Sequence, residues 1–264
     1  MRLANDVLSE GRHLRLDALT HRRAAGTLDP ALFMKDWIDF YDSAHSIYVS
    51  ARHRDLHFRL LADHIAAYVP SRDTVVIDYS CGEALSAAQV AESCGRLVLA
   101  EPATNVRARL VARFKDNPKI EVCSLEELTR RPQHAADLVI MNSVAQYLTG
   151  DELNLAFTRV HALLKRGGRF VLGDVLKPRS NALTDAVALL RFGRKHGFLK
   201  DAVKGLLRTA ISDYRKLRSR LGLARYGEAD MIAKLNAAGF SATRAPDNLG
   251  HNRKRMTFVA IPIV

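Results

Sequence analysis

Cysteine is scarce, and the three present (Cys81, Cys94 and Cys123) are odd in number. Two sit in or beside apolar runs that read as strands, so no disulfide framework is visible and a reducing cytoplasm is expected. Long hydrophobic runs are also missing: none approaches the length of a membrane span, and no signal-type stretch opens the chain. Residues 1–26 mix Arg with Asp and Glu, which argues against a transit peptide. There is no internal repeat and no low-complexity tract. Acidic residues are in deficit, 28 against 40 Lys and Arg, leaving a formal charge of +12 and pointing toward an anionic surface or partner. With 48% hydrophobic residues in 264, the chain can bury the core of one decorated domain.

The most informative stretch runs from Thr74 to Pro102. A β-branched run (Val75, Val76, Ile77) ends in Asp78, followed by a turn of small residues (Ser80, Cys81, Gly82, Ala84) and a helix-like segment from Leu85 to Ser93. A second apolar run (Leu97, Val98, Leu99) ends in Glu101. Small residues let the backbone approach a ligand, and an acid about 20 residues on can accept both hydrogen bonds of a ribose diol. Dinucleotide sites want three glycines in this turn, but Asp78-x-Ser80-x-Gly82-x-Ala84 keeps one. No Lys-Ser/Thr pair follows to cradle phosphates. An acid ahead of the turn suits an ammonium group, and S-adenosyl-L-methionine carries an amino acid, a ribose and an adenine without phosphate.

Two more landmarks come later in the chain. The strand-like run from Ala136 ends at Asn142-Ser143 and turns into a helix. The segment from Leu163 to Asp174 reads as a helix end, a Gly-Gly stop and a fifth strand. In this order the landmarks resemble the class I S-adenosylmethionine-dependent methyltransferases, strongly over residues 74–175 and more loosely to Val264. The resemblance implies an α/β fold: a Rossmann-like, seven-stranded, mostly parallel sheet with an antiparallel last strand, here Met256–Ile263. Residues 1–73 would be a helical lid (an amphipathic start, Ala31–Asp42, Ser50–Tyr68) and 74–175 the cofactor-binding core. Residues 176–225 would be a basic helical insert after strand five. Residues 226–264 complete the core, with a helix Met231–Phe240 and a strand-like Ala242–Pro246.

The resemblance also maps a cofactor site. Asp78, Tyr79, Ser80, Cys81 and Gly82 form the first motif against the methionine part, with Asp78 toward the ammonium. Glu101 is the ribose acid and Pro102 packs near the adenine. Ser124 and Leu125 lie beside the adenine amino group, where no Asp is present. Asn142 and Ser143 stand next to the transferable methyl and also suit an N-cap. Tyr48 and Arg52 could close over the methionine end, Arg52 pairing its carboxylate. Ser80 and Ala84 replace usual glycines; if Ser80 needs positive φ it costs about 1 kcal/mol.

Ligands of open α/β sheets lie beyond the carboxyl ends of the strands, where the loop 248–255 should emerge. His251 in that loop is therefore the candidate catalytic base, expected to titrate near the working pH. His45, His53 and His57 form a cluster, and His53 and His57 share a helical face, but no Glu or Cys accompanies them, so no metal is expected. From Leu176 to Arg225 thirteen Lys/Arg face three acids, alongside an apolar stripe of Leu199, Val203, Leu206, Leu207, Ala210, Ile211 and Tyr214. Such an insert can cap an anionic or amphiphilic small acceptor, touch an acidic membrane surface, or line a nucleic-acid groove. It can equally be an ordinary solvated cap. Asn142-Ser143-Val144 lacks the Asn/Asp-Pro-Pro-aromatic signature of many base-methylating enzymes, and aromatics are sparse in the insert, which favours a small or lipid-like acceptor. An RNA methyltransferase and a non-catalytic adaptor retaining the fold are the alternatives.

Overall fold

A computed structural model describes residues 37–43, 48–209 and 222–263. The expectations for residues 1–36, for His45 and for residues 210–221 lie outside the described residues. After a helical stretch at 37–42 come α1 (Ala51–Ala66), β1 (Val75–Tyr79), α2 (Ala87–Ser93), β2 (Arg96–Ala100) and α3 (Thr104–Phe114). Next are β3 (Ile120–Cys123), α4 (Leu125–Thr129), β4 (Ala136–Asn142), α5 (Gly150–Leu163) and β5 (Leu164–Val175). The cap contributes α6 (Ala182–His196) and α7 (Leu199–Thr209), and the chain closes with α8 (Glu228–Ala237), β6 (Phe240–Arg244) and β7 (Met256–Pro262).

The sheet order is β3-β2-β1-β4-β5-β7-β6, with β7 antiparallel to both neighbours and the remaining pairs parallel. Strand alternation divides the core into two layers. Ile77, Tyr79, Val139 and Met141 pack with Leu153, Phe157, Val160, Met231 and Leu235 from α5 and α8. Val76, Leu138 and Ile140 pack with Ala62, Ile65, Val90 and Leu110 from α1, α2 and α3. Because β7 reverses both neighbours, β6 runs parallel to β5, and the loop 245–255 leaves at the carboxyl edge.

Element ends follow local chemistry. Ser50 caps α1 by accepting from the His53 N–H, while Ser124 with Glu127 and Thr149 with Glu152 form capping boxes on α4 and α5. Two boundaries differ from the sequence reading. The helix expected at Met231–Phe240 starts at Glu228 and stops at Ala237, because Gly239 turns at φ 88° and donates to the Asn236 carbonyl. The strand expected at Ala242–Pro246 is Phe240–Arg244, since Pro246 has no N–H for a ladder.

The cap folds as a helical hairpin on α1. Phe192, Phe198 and Ala202 form a small core with Val49, Leu56 and Leu60. The stripe Leu199, Val203 and Leu207 does not supply this contact: those side chains are 40%, 46% and 70% exposed, and Ala202 and Gly205 face inward. Small residues win because the chain beneath is close. A Cβ on Gly205 would stand 2.1 Å from Val49 Cγ1. Gly205→Ala, which in a free helix would stabilise by about 0.5–1 kcal/mol, is expected here to destabilise by about 1–3 kcal/mol in urea unfolding.

Candidate active site

Backbone strain is concentrated at the carboxyl edge of the sheet. Ser80 (φ 61°) and Ala84 (φ 37°) follow β1, Ser143 (φ 59°) follows β4, and Asp174 (φ 61°) lies at the end of β5. Left-handed non-glycine residues cost of order 1–3 kcal/mol each and persist where surrounding contacts hold them. At Ser80 the holder is β2: the N–H groups of Ser80 and Cys81 both donate to the Ala100 carbonyl, at 2.7 and 3.2 Å. The cost expected for Ser80 is therefore paid, and the turn keeps the shape that glycine would give.

Glu101 ties the first turn to the tip of β2. It is 5% exposed, and its carboxylate accepts from the N–H of Gly82 and of Ala103, both at 2.8 Å. Arg107 Nη1 donates to the carbonyls of Glu101 and Pro102 and fixes that corner. Each Glu101 oxygen retains a free lone pair, so the group can still accept from a diol. Asp78 contrasts with it: among the described residues no donor reaches its carboxylate, and burial, then the nearby Glu101 charge, pushes its pKa up to about 7. A cation placed there would reverse that shift. Tyr79 points to the other layer, where burial raises its hydroxyl pKa and Arg159 opposes the rise, so its backbone alone belongs to the turn. Burial likewise pushes the Cys81 thiol well up. Ser124 is committed to the α4 capping box, and Leu125 packs on the core.

The second half of the edge starts at Asn142. The chain leaves Ser143 as a 3₁₀ turn, Ala145–Tyr147, so Ser143 does not act as an N-cap. Asn142 Oδ1 is buried without a partner, and it lies so near Gly173 that a Cβ there would approach it to 2.4 Å. Ser143 Oγ instead donates to Asp174 Oδ2 at 2.7 Å. Asp174 also accepts from Arg255 Nη1 at 2.5 Å and from Asn248 Nδ2 at 3.1 Å. Arg255 Nη2 reaches Asp185 of α6 at 3.2 Å, and Asn252 Nδ2 meets the same oxygen at 3.0 Å. Asp174, Asp185, Asn248 and Arg255 are absent from the sequence-based site. The run Arg253-Lys-Arg255 reads as a solvated charge cluster, and nothing in its spacing marks one arginine as buried.

The lid and loop histidines come together. His251 does not titrate as a solvated loop residue near neutrality: its ring stacks on Phe192 (centroids 4.7 Å, 19°), and burial pushes its pKa down to about 4. His53 and His57 are driven to about 4 as well, by burial and then by neighbouring imidazoles. Tyr48 packs against His53, His57 and Phe58, and burial together with the Glu83 charge raises its hydroxyl pKa. Arg52 is placed elsewhere: it is exposed, and its Nε donates to the His196 carbonyl at 2.9 Å, closing the C-terminal end of α6. Asp42, also unforeseen, accepts from the N–H groups of Asn105 (2.6 Å) and Val106 (3.2 Å), and so caps α3 from the lid. Among the described residues no group of three His, Cys, Asp or Glu is disposed to hold a metal ion.

Residues 77–172 match the family model described as a methyltransferase domain. No curated protein matches the chain in sequence. Among solved structures the chain is similar to the 1,6-didemethyltoxoflavin-N1-methyltransferase of Burkholderia thailandensis, crystallised with 1,6-didemethyltoxoflavin and S-adenosylhomocysteine. That pair shows 16% identity and a TM-score of 0.57, over 91% of this chain and 93% of that one. The DhpI–SAH complex gives 12% identity and a TM-score of 0.57, over 88% and 97%. A putative methyltransferase in complex with the Haloferax volcanii Trm112 activator gives 13% and 0.53, over 90% and 100%. Residues 77–172 thus match a methyltransferase domain, and the sheet order with its antiparallel β7 is the Rossmann-like fold of class I methyltransferase structures. The methyl donor of that class is S-adenosylmethionine.

Asp78 gives a signed test. Its folded pKa (about 7) lies above the ordinary carboxyl value of 3.8, so folding favours the protonated form, and stability falls as pH rises between those limits by up to about 1.4 kcal/mol per unit. Asp78→Asn should therefore melt higher than the unliganded wild type at pH 8, and the advantage should shrink toward pH 4. Over the same range, wild-type affinity for S-adenosylmethionine should rise with pH and the variant's should not, as calorimetry would read.

Proposed function

We propose that this chain transfers the methyl group of S-adenosylmethionine to a small-molecule acceptor held between the lid and the cap. The observation that carries this is the division of labour at the carboxyl edge. Asp78 offers an unpartnered carboxylate for an ammonium, Glu101 offers lone pairs for a ribose, and Asn142 holds a buried, unsatisfied carbonyl oxygen beside Gly173 at the end of β4. These residues fit the cofactor's amino acid and ribose. When bound, it supplies a methyl already activated on a sulfonium, so the protein has mainly to orient, desolvate and move a proton.

His251 is the proton acceptor in this reading. It stays neutral at physiological pH, so an imidazole lone pair is free for an acceptor O–H or N–H that becomes acidic as it is methylated. Asp174 and Arg255, both acting on the His251 charge, position the loop rather than touch the acceptor. A small acceptor is favoured over nucleic acid because this edge is covered by α1, α6 and the 245–255 loop, whereas Arg191, Arg194, Lys195, Lys200 and Lys204 are exposed. A second reading, an amphiphilic acceptor taken from an anionic membrane surface, is supported by the exposed Leu199, Val203 and Leu207 among those basic residues. No helix among the described residues is long and apolar enough to cross a membrane.

Titration calorimetry with S-adenosylmethionine and S-adenosylhomocysteine tests the donor site. The wild type should bind both, and Glu101→Gln, which keeps shape but loses charge, should bind about tenfold or more weakly. Equal affinity would remove Glu101 from the site, and a folded protein that binds neither would be an adaptor. Steep loss of acceptor binding with salt would mark nucleic acid. His251→Ala should spare donor affinity and lower methyl-transfer turnover by about 10²-fold.

A further inference from the structure

Three imidazoles from two segments meet beneath the cap. Ring centroids lie 6.4 Å apart for His53 and His57, 6.0 Å for His53 and His251, and 6.1 Å for His57 and His251. Aromatic faces enclose them: His53 stacks on Phe198 (5.3 Å, 24°), His251 stacks on Phe192, and Tyr48 lies against both His53 and His57. The polarity inside is incomplete. The Val49 N–H donates to His53 Nδ1 at 3.3 Å, so neutral His53 carries its hydrogen on Nε2, and that buried donor has no partner. His57 Nδ1 is also buried without a partner. Native interiors rarely leave such atoms unpaired, and a ligand is one ordinary reason for an exception.

We infer that His53, His57 and His251 form the polar end of the acceptor site, and that its occupant is an uncharged aromatic ring bearing a hydroxyl. The inference rests on the methyltransferase reading and narrows it. Imidazoles already cover the faces of Phe192 and Phe198, so an incoming aromatic ring would pack edge-on against these rings and Tyr48. A hydroxyl both donates and accepts, so one group can take the His53 Nε2 hydrogen and offer its own to a neighbouring imidazole. An anionic acceptor is disfavoured, because the guanidinium acting on both His57 and His251, that of Arg255, is already shared by Asp174 and Asp185. The excess charge of the chain thus does not extend into this cluster. The site joins the donor half directly, since Asp174, whose charge acts on His57 and His251, accepts from Ser143 after β4.

The test uses the full chain saturated with S-adenosylhomocysteine, titrated with naphthol and hydroxycoumarin, with naphthoate as the charged control. Imidazole nitrogen NMR reports on each histidine. The expected result is binding of both phenols, with shifts at His53 and His57, and about tenfold or weaker binding of naphthoate. His53→Phe keeps a ring but removes both nitrogens; it should cost about tenfold in phenol affinity, lower the melting temperature because the Val49 N–H loses its acceptor, and leave S-adenosylhomocysteine affinity unchanged. If S-adenosylhomocysteine binds but no phenol does, or if His53→Phe binds phenols as well as the wild type, the inference fails and the methyltransferase reading stands. Stoichiometric zinc uptake that perturbs all three imidazoles would overturn it in favour of a metal site. Failure to bind S-adenosylhomocysteine would sink both readings together.

Discussion

Arg255 joins three parts of the chain that are distant in sequence. It rises from the 245–255 loop, donates to Asp174 at the end of β5 and reaches Asp185 on α6. Its side chain is 17% exposed and those of the two acids 13% and 22%, so the ions are held largely out of water. Buried pairs of this kind often contribute little net stability, because desolvation offsets attraction. Their leverage is in removal: without the guanidinium, the largely buried Asp174 would keep only neutral donors, Ser143 and Asn248, at a cost of about 3–5 kcal/mol. The network also holds Asp174 in its left-handed conformation, and Asp174 in turn holds Ser143. Cap, loop and fourth-strand turn therefore meet at this cation and at the Asn248 and Asn252 amides beside it.

The donor side is built on the opposite principle. There backbone N–H groups hold Glu101, whose pKa burial still raises, and no donor among the described residues reaches Asp78. A carboxylate held near pH 7 by burial and by a neighbouring acid is poised to gain from an incoming ammonium. The free protein is thus least comfortable where the ligand supplies what is missing. Arg52 secures the end of α6 through its Nε.

Much of this was legible in the sequence, and the reasons for the gaps are physical. The strands and the turn at Ser80–Gly82 are local: β-branched runs, small residues and a terminal acid sit within about thirty residues of one another, and periodicity reads them. The positive φ at Ser80 was likewise foreseeable from the missing glycine. Burial of charge was not. Arg255 lies in a basic run and Asp185 on an exposed-looking helix, and only tertiary contact reveals that each needs the other. The apolar stripe of α7 misled for a related reason: helical period identifies a face but not its partner, and the close approach of Val49 leaves room for Ala202 and Gly205 instead.

The histidines carry the same lesson into chemistry. A loop imidazole flanked by Gly250 and Asn252 looks solvated, with a pKa near neutrality, until Phe192 is laid on its face. Burial then lowers its pKa, and the charge of His53, 6.0 Å away, deepens the effect against the opposing pull of Asp174. A base depressed this far is weak toward an ordinary alcohol at rest, yet it needs no strength before the reaction. An acceptor oxygen or nitrogen becomes strongly acidic as the new bond to carbon forms, so a neutral, correctly placed lone pair is sufficient to take the proton. Low basicity then has an advantage, because the imidazole stays unprotonated across the physiological range and does not repel the sulfonium of the donor. In the proposed reaction the basic exterior and the uncharged histidine cluster are therefore separate devices, one acting on what approaches the protein and the other on the acceptor.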